Sequence, residues 1–166
     1  MWDFVTFIIV DGIVRGKRAI LPAMSDIVDP RHEALCEHLF QRTCGVLGMR
    51  GFEMRPLRRR VRGRGKLRSY ALGYTKLGEK LVTIDLYTPR TMKTRKIDAI
   101  LRVICHELAH HQAPPRIVRS WFRAVRVIHH PKFWRQFKKN VELLKRDEML
   151  GPLFAHDAVA DARDSG

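Results

Sequence analysis

The spacing of apolar and polar positions changes several times along the chain, and each change marks an element. Phe4 to Val10 (FVTFIIV) is rich in β-branched and aromatic residues, which favour a strand. Asp11-Gly12 then precedes a second apolar pair, Ile13-Val14, and predicts a hairpin. Asp29-Pro30 opens a helical stretch, because proline suits the first helical turn. Ala34, Leu35, His38, Leu39 and Val46 keep a helical period to about Leu47, and Gly48 to Gly51 ends it. Residues 53–88 read as β-structure with turns at Gly63/Gly65 and at Lys76 to Glu79. The last strand expected is Leu81 to Thr88 (LVTIDLYT), closed by Pro89.

Helical spacing returns from Lys93 to His111. Ile97, Ile100, Leu101, Ile104 and Leu108 fall on one stripe, with His106 and His110 roughly opposite. The stripe should face a core and the histidines a cleft. After Pro114-Pro115, a helix is expected from Arg116 to Ile128. Its apolar face would hold Ile117, Val118, Trp121, Phe122, Val125 and Ile128, with Arg116, Arg119, Arg123 and Arg126 on the other side. A final helix should start near Pro131 and bury Phe133, Trp134, Phe137, Val141 and Leu144, ending at Gly151-Pro152.

These elements make an α+β fold, with a small antiparallel sheet, the 93–111 helix and two to three further helices. The length, 166 residues, suits one domain. Its expected bounds are 1–150, with residues 1–30 as an N-terminal hairpin extension and 151–166 as a loosely held acidic tail. No apolar run approaches the ~20 residues of a membrane helix. The N-terminus lacks the pattern of a secretion signal. Cys36, Cys44 and Cys105 are odd in number and form no C-x-x-C pair, which argues against a disulfide framework. A reducing, cytoplasmic setting is the expectation.

Charge adds a partner. The chain carries 32 Lys+Arg against 17 Asp+Glu, a formal +15. The excess lies in two blocks, 57–80 with net +8 and 112–146 with net +9. Arg58, Arg59, Arg60, Arg62, Arg64, Lys66 and Arg68 crowd the first, and Arg116, Arg119, Arg123 and Arg126 stripe the second. Such blocks suit phosphates, so DNA is the expected partner, single-stranded or structured and not read by sequence.

Chemistry enters at His106-Glu107-Leu108-Ala109-His110, an H-E-x-x-H on a predicted helix. Positions i and i+4 share a face, so His106 and His110 can reach one Zn²⁺. Glu107 then lies beside the metal, placed to take a proton from water. A third ligand is needed. His129 and His130 stand just before a helix, and Glu142 within it is the alternative; His111 points about 100° away from His110. Tyr87, His111 and Arg135 are candidates to stabilise an oxyanion. The strand 81–88 could form the rim of the cleft and hold an extended peptide by strand addition.

HELAH followed by His129-His130-Pro131-Lys132-Phe133-Trp134 (HHPKFW) resembles the SprT-like and WLM zinc metallopeptidases and the related YgjP-like proteins. In that family the second motif has the form H-G-P-E-F-W, and its first His is the third zinc ligand. The resemblance therefore implies His129, a zincin-like fold over roughly residues 31–146, and substrates that are proteins bound or crosslinked to DNA. The expected activity is zinc-dependent peptide hydrolysis with Glu107 as the catalytic base. Two alternatives stand beside it: a non-catalytic, zinc-containing nucleic-acid-binding module, and a peptidase indifferent to DNA.

Overall fold

The computed structural model describes residues 4–9, 28–57, 70–89, 91–120 and 123–157. In chain order the elements are β1 (Phe4–Ile9), α1 (Pro30–Val46), β2 (Glu53–Leu57), β3 (Tyr70–Lys76), β4 (Leu81–Asp85), α2 (Ile97–Gln112), β5 (Arg116–Ser120), β6 (Arg123–Val127) and α3 (Pro131–Lys145). A 3₁₀ turn, Gly151–Asp157, follows. The fold is α+β. Among the described residues no helix is long and apolar enough to cross a membrane.

The main sheet has the order β1-β3-β4-β2. β3 and β4 form a hairpin whose turn uses Gly78 at φ 91°, a conformation that favours glycine. β1 pairs antiparallel with β3, and β2 runs parallel to β4. The sheet is thus mixed, not purely antiparallel as expected. The connection 58–69 is long enough for β4 to slot between β2 and β3, which lets β2 run parallel to β4. That slot has a consequence for recognition. Both edges of β4 are already paired, so β4 cannot accept a peptide as a further strand.

The N-terminal apolar run does form a strand, joined to the main sheet at β3. The second arm of the expected hairpin lies outside the described residues, as do the turn at Gly63/Gly65 and the basic residues 58–68.

α1 begins as its sequence requires. The Asp29 side chain accepts hydrogen bonds from the backbone N–H groups of Arg31 and His32, at 3.0 and 3.3 Å, with proline in the first turn. α2 begins four residues later than expected. Residues 93–96 instead run back along the end of β4, with Thr94 bridged to Tyr87 and the Arg95 N–H donating to the Leu86 carbonyl at 2.9 Å.

The core lies between the sheet and the helices. Ile100, Leu101, Ile104 and Leu108 of α2 pack with Val82, Ile84 and Leu86, with Leu39 and Phe40 of α1, and with Val141 and Leu144 of α3. The apolar stripe of α2 faces this core as its spacing predicts. The core extends past the expected boundary of the C-terminal tail, because Phe154 is also buried in it. Residues 158–166 lie outside the described residues.

The segment expected as a helix from Arg116 to Ile128 is instead a two-stranded antiparallel hairpin, β5–β6. Ile117, Val118, Val125 and Val127 are β-branched and favour strands. The arginine spacing of three fits a helix, but it does not specify one. As a result the expected apolar face is not buried: Ile117, Val118 and Val125 are exposed.

α3 is fixed on α2 by one buried amide. Asn140 donates to the Cys105 carbonyl at 3.3 Å and to Gln112 Oε1 at 2.7 Å, and accepts from Gln136 at 3.0 Å. Asn140→Ala should remove about 1–3 kcal/mol by stranding these groups. Thermal unfolding should show a midpoint lowered by roughly 5 °C.

Candidate metal centre

α2 carries His106 and His110 one turn apart, and its C-terminal end is held by the Ala113 N–H donating to the Ala109 carbonyl at 2.8 Å. The chain then leaves through β5–β6 and returns at the start of α3. That return brings His129 against the two α2 histidines. The three Nε2 atoms form a triangle with sides of 3.2, 3.2 and 3.3 Å. Three linear N–H···N bonds cannot close a triangle, because its internal angles sit near 60°. Ligand atoms on a tetrahedron of radius ~2.0–2.1 Å lie about 3.3 Å apart, so the triangle matches one face of a zinc-sized coordination sphere. The three histidines could therefore hold one metal ion.

Aromatic rings wall this triangle. Phe133 stacks on His110 with ring centres 4.4 Å apart, and its edge meets His106 at 4.8 Å. Trp134 lies 5.5 Å from His129. Burial and the neighbouring imidazoles make protonation unfavourable. Burial, then His129, pushes His106 down to about 3; burial, then the surrounding histidines, pushes His110 down to about 2. His129 is lowered as well, by burial and then by His130. Neutral imidazoles are the form that binds metal.

Glu107 is fully buried, and both of its carboxylate oxygens lack a hydrogen-bond partner among the described residues. Burial alone holds its pKa well above the ordinary carboxylate range. A carboxylate with only a structural role would be hydrogen-bonded. Space for it comes from Gly73 on β3, where a Cβ would stand 3.1 Å from Glu107 Oε1 and 2.8 Å from a Val103 methyl. Glu107 and His106 line one cleft of about 280 Å³.

His129 and His130 have separate tasks. His130 Nε2 lies 3.0 Å from the Pro114 carbonyl, and its Nδ1 accepts from the Phe133 N–H at 3.3 Å. The carbonyl can only accept and the N–H can only donate, so the proton sits on Nε2. Both ring nitrogens are then occupied. His130 caps α3 and ties its start to the base of the β5–β6 hairpin. The other candidates are placed elsewhere. Glu142 is exposed and pairs with Lys145 at 3.2 Å. His111 contacts Thr75 Oγ1 at 2.6 Å, and the Tyr87 hydroxyl meets Asp29 and Glu33 at the start of α1. Arg135 is exposed on α3. Tyr87 and His111 are thus engaged away from the triangle.

No family model, curated protein or solved structure matches this chain.

The eleven basic residues assigned to DNA divide in two. Arg58, Arg59, Arg60, Arg62, Arg64, Lys66 and Arg68 lie outside the described residues. Arg116, Arg119, Arg123 and Arg126 are exposed on β5–β6. They do not make one stripe. The register pairs Arg116 with Val127 and Ser120 with Arg123, whereas Ile117 pairs with Arg126 and Arg119 with Ala124. Arg116 and Arg123 therefore share one face of the ribbon, and Arg119 and Arg126 the other.

Three features of the site were missed in the sequence. The capping role of His130 was signalled by the proline that follows it. Gly73 inside a strand was a sign of close approach. The Asn140 network had no sequence signal.

Replacing His129 by Ala should weaken metal binding, with zinc as the probe, by well over about 100-fold, because one of the three imidazole donors is lost. His130→Ala should leave binding of that probe metal unchanged and lower stability by about 1 kcal/mol, the worth of a cap. Competition with a chelator and thermal unfolding of both variants check this pair.

Proposed function

We propose that the protein is a zinc-dependent metallopeptidase of the H-E-x-x-H type, related to the SprT-like enzymes it resembles. The observation that carries the reading is the Nε2 triangle of His106, His110 and His129, with the Glu107 carboxylate, unpartnered among the described residues, sharing a cleft with His106. Three imidazoles are a donor set that suits zinc. A bound zinc ion supplies Lewis acidity, polarising the scissile carbonyl, acidifying water and favouring the ionised form of Glu107.

The chain's own residues do the rest. Glu107 takes a proton from the attacking water at a carboxylate oxygen and passes it to the leaving amine. Gly73 leaves the space in which that carboxylate stands. Phe133 and Trp134 keep the imidazoles in fixed orientations and exclude bulk water from their flank. Nothing in a purely structural metal site calls for an unpartnered buried acid, which favours the catalytic reading over the non-catalytic module.

The substrates we propose are proteins associated with DNA. The support is the basic ribbon: four exposed arginines, with no carboxylate between Leu108 and Val141. Co-location on a polyanion would then raise the local concentration of substrate.

Zinc-loaded protein should cleave a basic DNA-binding protein faster when single-stranded DNA is added. Glu107→Gln should lower the rate by about 100-fold or more in either condition. Cleavage indifferent to DNA would keep the peptidase and remove the DNA coupling. Bound zinc with no cleavage under any condition would favour the non-catalytic reading.

Changing Arg116, Arg119, Arg123 and Arg126 together to Ala should weaken single-stranded DNA binding. It should also flatten the slope of log K against log salt by up to about 3. Fluorescence anisotropy across a salt series reads both.

A further inference from the structure

We infer that the cleft beside Glu107 is a side-chain pocket that selects peptides with a large apolar residue flanking the scissile bond, and that Ala99 sets its depth. The inference rests on the peptidase reading above. The cleft holds about 280 Å³, just below the range of whole-ligand pockets and enough for one large side chain. Its walls come from three elements: Leu72 of β3, Ala99 and Val103 of α2, and Phe137 of α3. His106 and Glu107 close one end, so an occupant sits next to the groups that would perform the reaction.

The shape follows from helix geometry. Ala99, Val103 and His106 are spaced at four and three residues, so they share one face of α2. At ~1.5 Å per residue, Ala99 lies about 10 Å along the helix from His106, the reach of one long side chain. Ala99 is small and exposed, which leaves the far end open. Arg102 adds the one basic group in the lining, with its guanidinium 5.6 Å from the centre of the Phe154 ring.

The chemistry of the lining decides the occupant. An amide or hydroxyl side chain lying along the walls of Leu72, Ala99, Val103 and Phe137 would give up water without a replacement partner there. A lysine would compete for the Glu107 carboxylate. An aromatic or aliphatic side chain gains by leaving water. Recognition through β4 is closed, because both of its edges are paired, and that gives side-chain burial a larger share of the selectivity.

The test uses the zinc-loaded full chain and peptides identical except at one position, where Phe, Leu, Ala, Lys or Asp is placed. Mass spectrometry locates the cut, and kcat/KM is measured for each peptide. Phe and Leu should exceed Ala, Lys and Asp by about 10- to 100-fold. Ala99→Phe should bring the Phe-to-Ala ratio towards one. Cleavage of all peptides within about twofold, or a preference for Lys or Asp, would overturn the pocket and leave the peptidase reading standing. If no peptide is cut, the peptidase reading fails and calorimetric binding of the same peptides to the wild-type protein judges the pocket. Phe binding about tenfold tighter than Ala would then support it, and equal or absent binding would overturn it.

Discussion

The rest of this structure depends on the cost of placing three imidazoles and a carboxylate together out of water. None of the four gains charge easily there. Burial disfavours the imidazolium at His106 and His110 and disfavours the carboxylate at Glu107. A cluster of this kind collapses or rearranges unless its surroundings fix it. Here each member is fixed from a different direction. Helical spacing sets His106 and His110, the missing side chain of Gly73 leaves the volume that Glu107 fills, and the start of α3 delivers His129.

The start of α3 is therefore the sensitive joint. α2 and α3 are separated in sequence by a hairpin that contributes little to the core. Their mutual placement comes from Asn140 at one end and His130 at the other. Each makes a hydrogen bond to a backbone carbonyl, Cys105 for Asn140 and Pro114 for His130, and Asn140 adds the side chains of Gln112 and Gln136. Phe133 completes the joint by stacking on His110. A small shift of α3 along α2 would open the Nε2 triangle, because its sides of 3.2–3.3 Å leave no slack for a coordinated ion.

Much of this was legible from one-dimensional spacing, because the spacing was local. The i, i+4 histidines, the stripe Ile97–Leu108 and the Asp29-Pro30 start of α1 all report contacts within one or two turns. His129 was legible only through resemblance; the residues alone left His130 and Glu142 open. What failed was partly non-local. Which strand pairs with β4 depends on the path of a long connection, which spacing does not encode. β5–β6 was misread because Arg116 and Arg119 repeat every three residues, a pattern that a helix and an irregular ribbon share. β-branched density at Ile117, Val118, Val125 and Val127 was the better guide, and it outweighed the apparent helical face.

The hairpin also explains how a basic appendage can sit between His110 and His129 without disturbing the Nε2 triangle. A segment inserted there would ordinarily transmit its motion to both sides of the site. In this fold its base is clamped: the Ala113 N–H is bound to the Ala109 carbonyl, and the Pro114 carbonyl lies against His130, which is itself the cap of α3. Strand pairing from Arg116–Val127 outward to Ser120–Arg123 then stiffens the arm on its own. The Nε2 triangle lies at the base of the ribbon, outside the paired residues Arg116–Val127, so the arm itself contributes no atom to it.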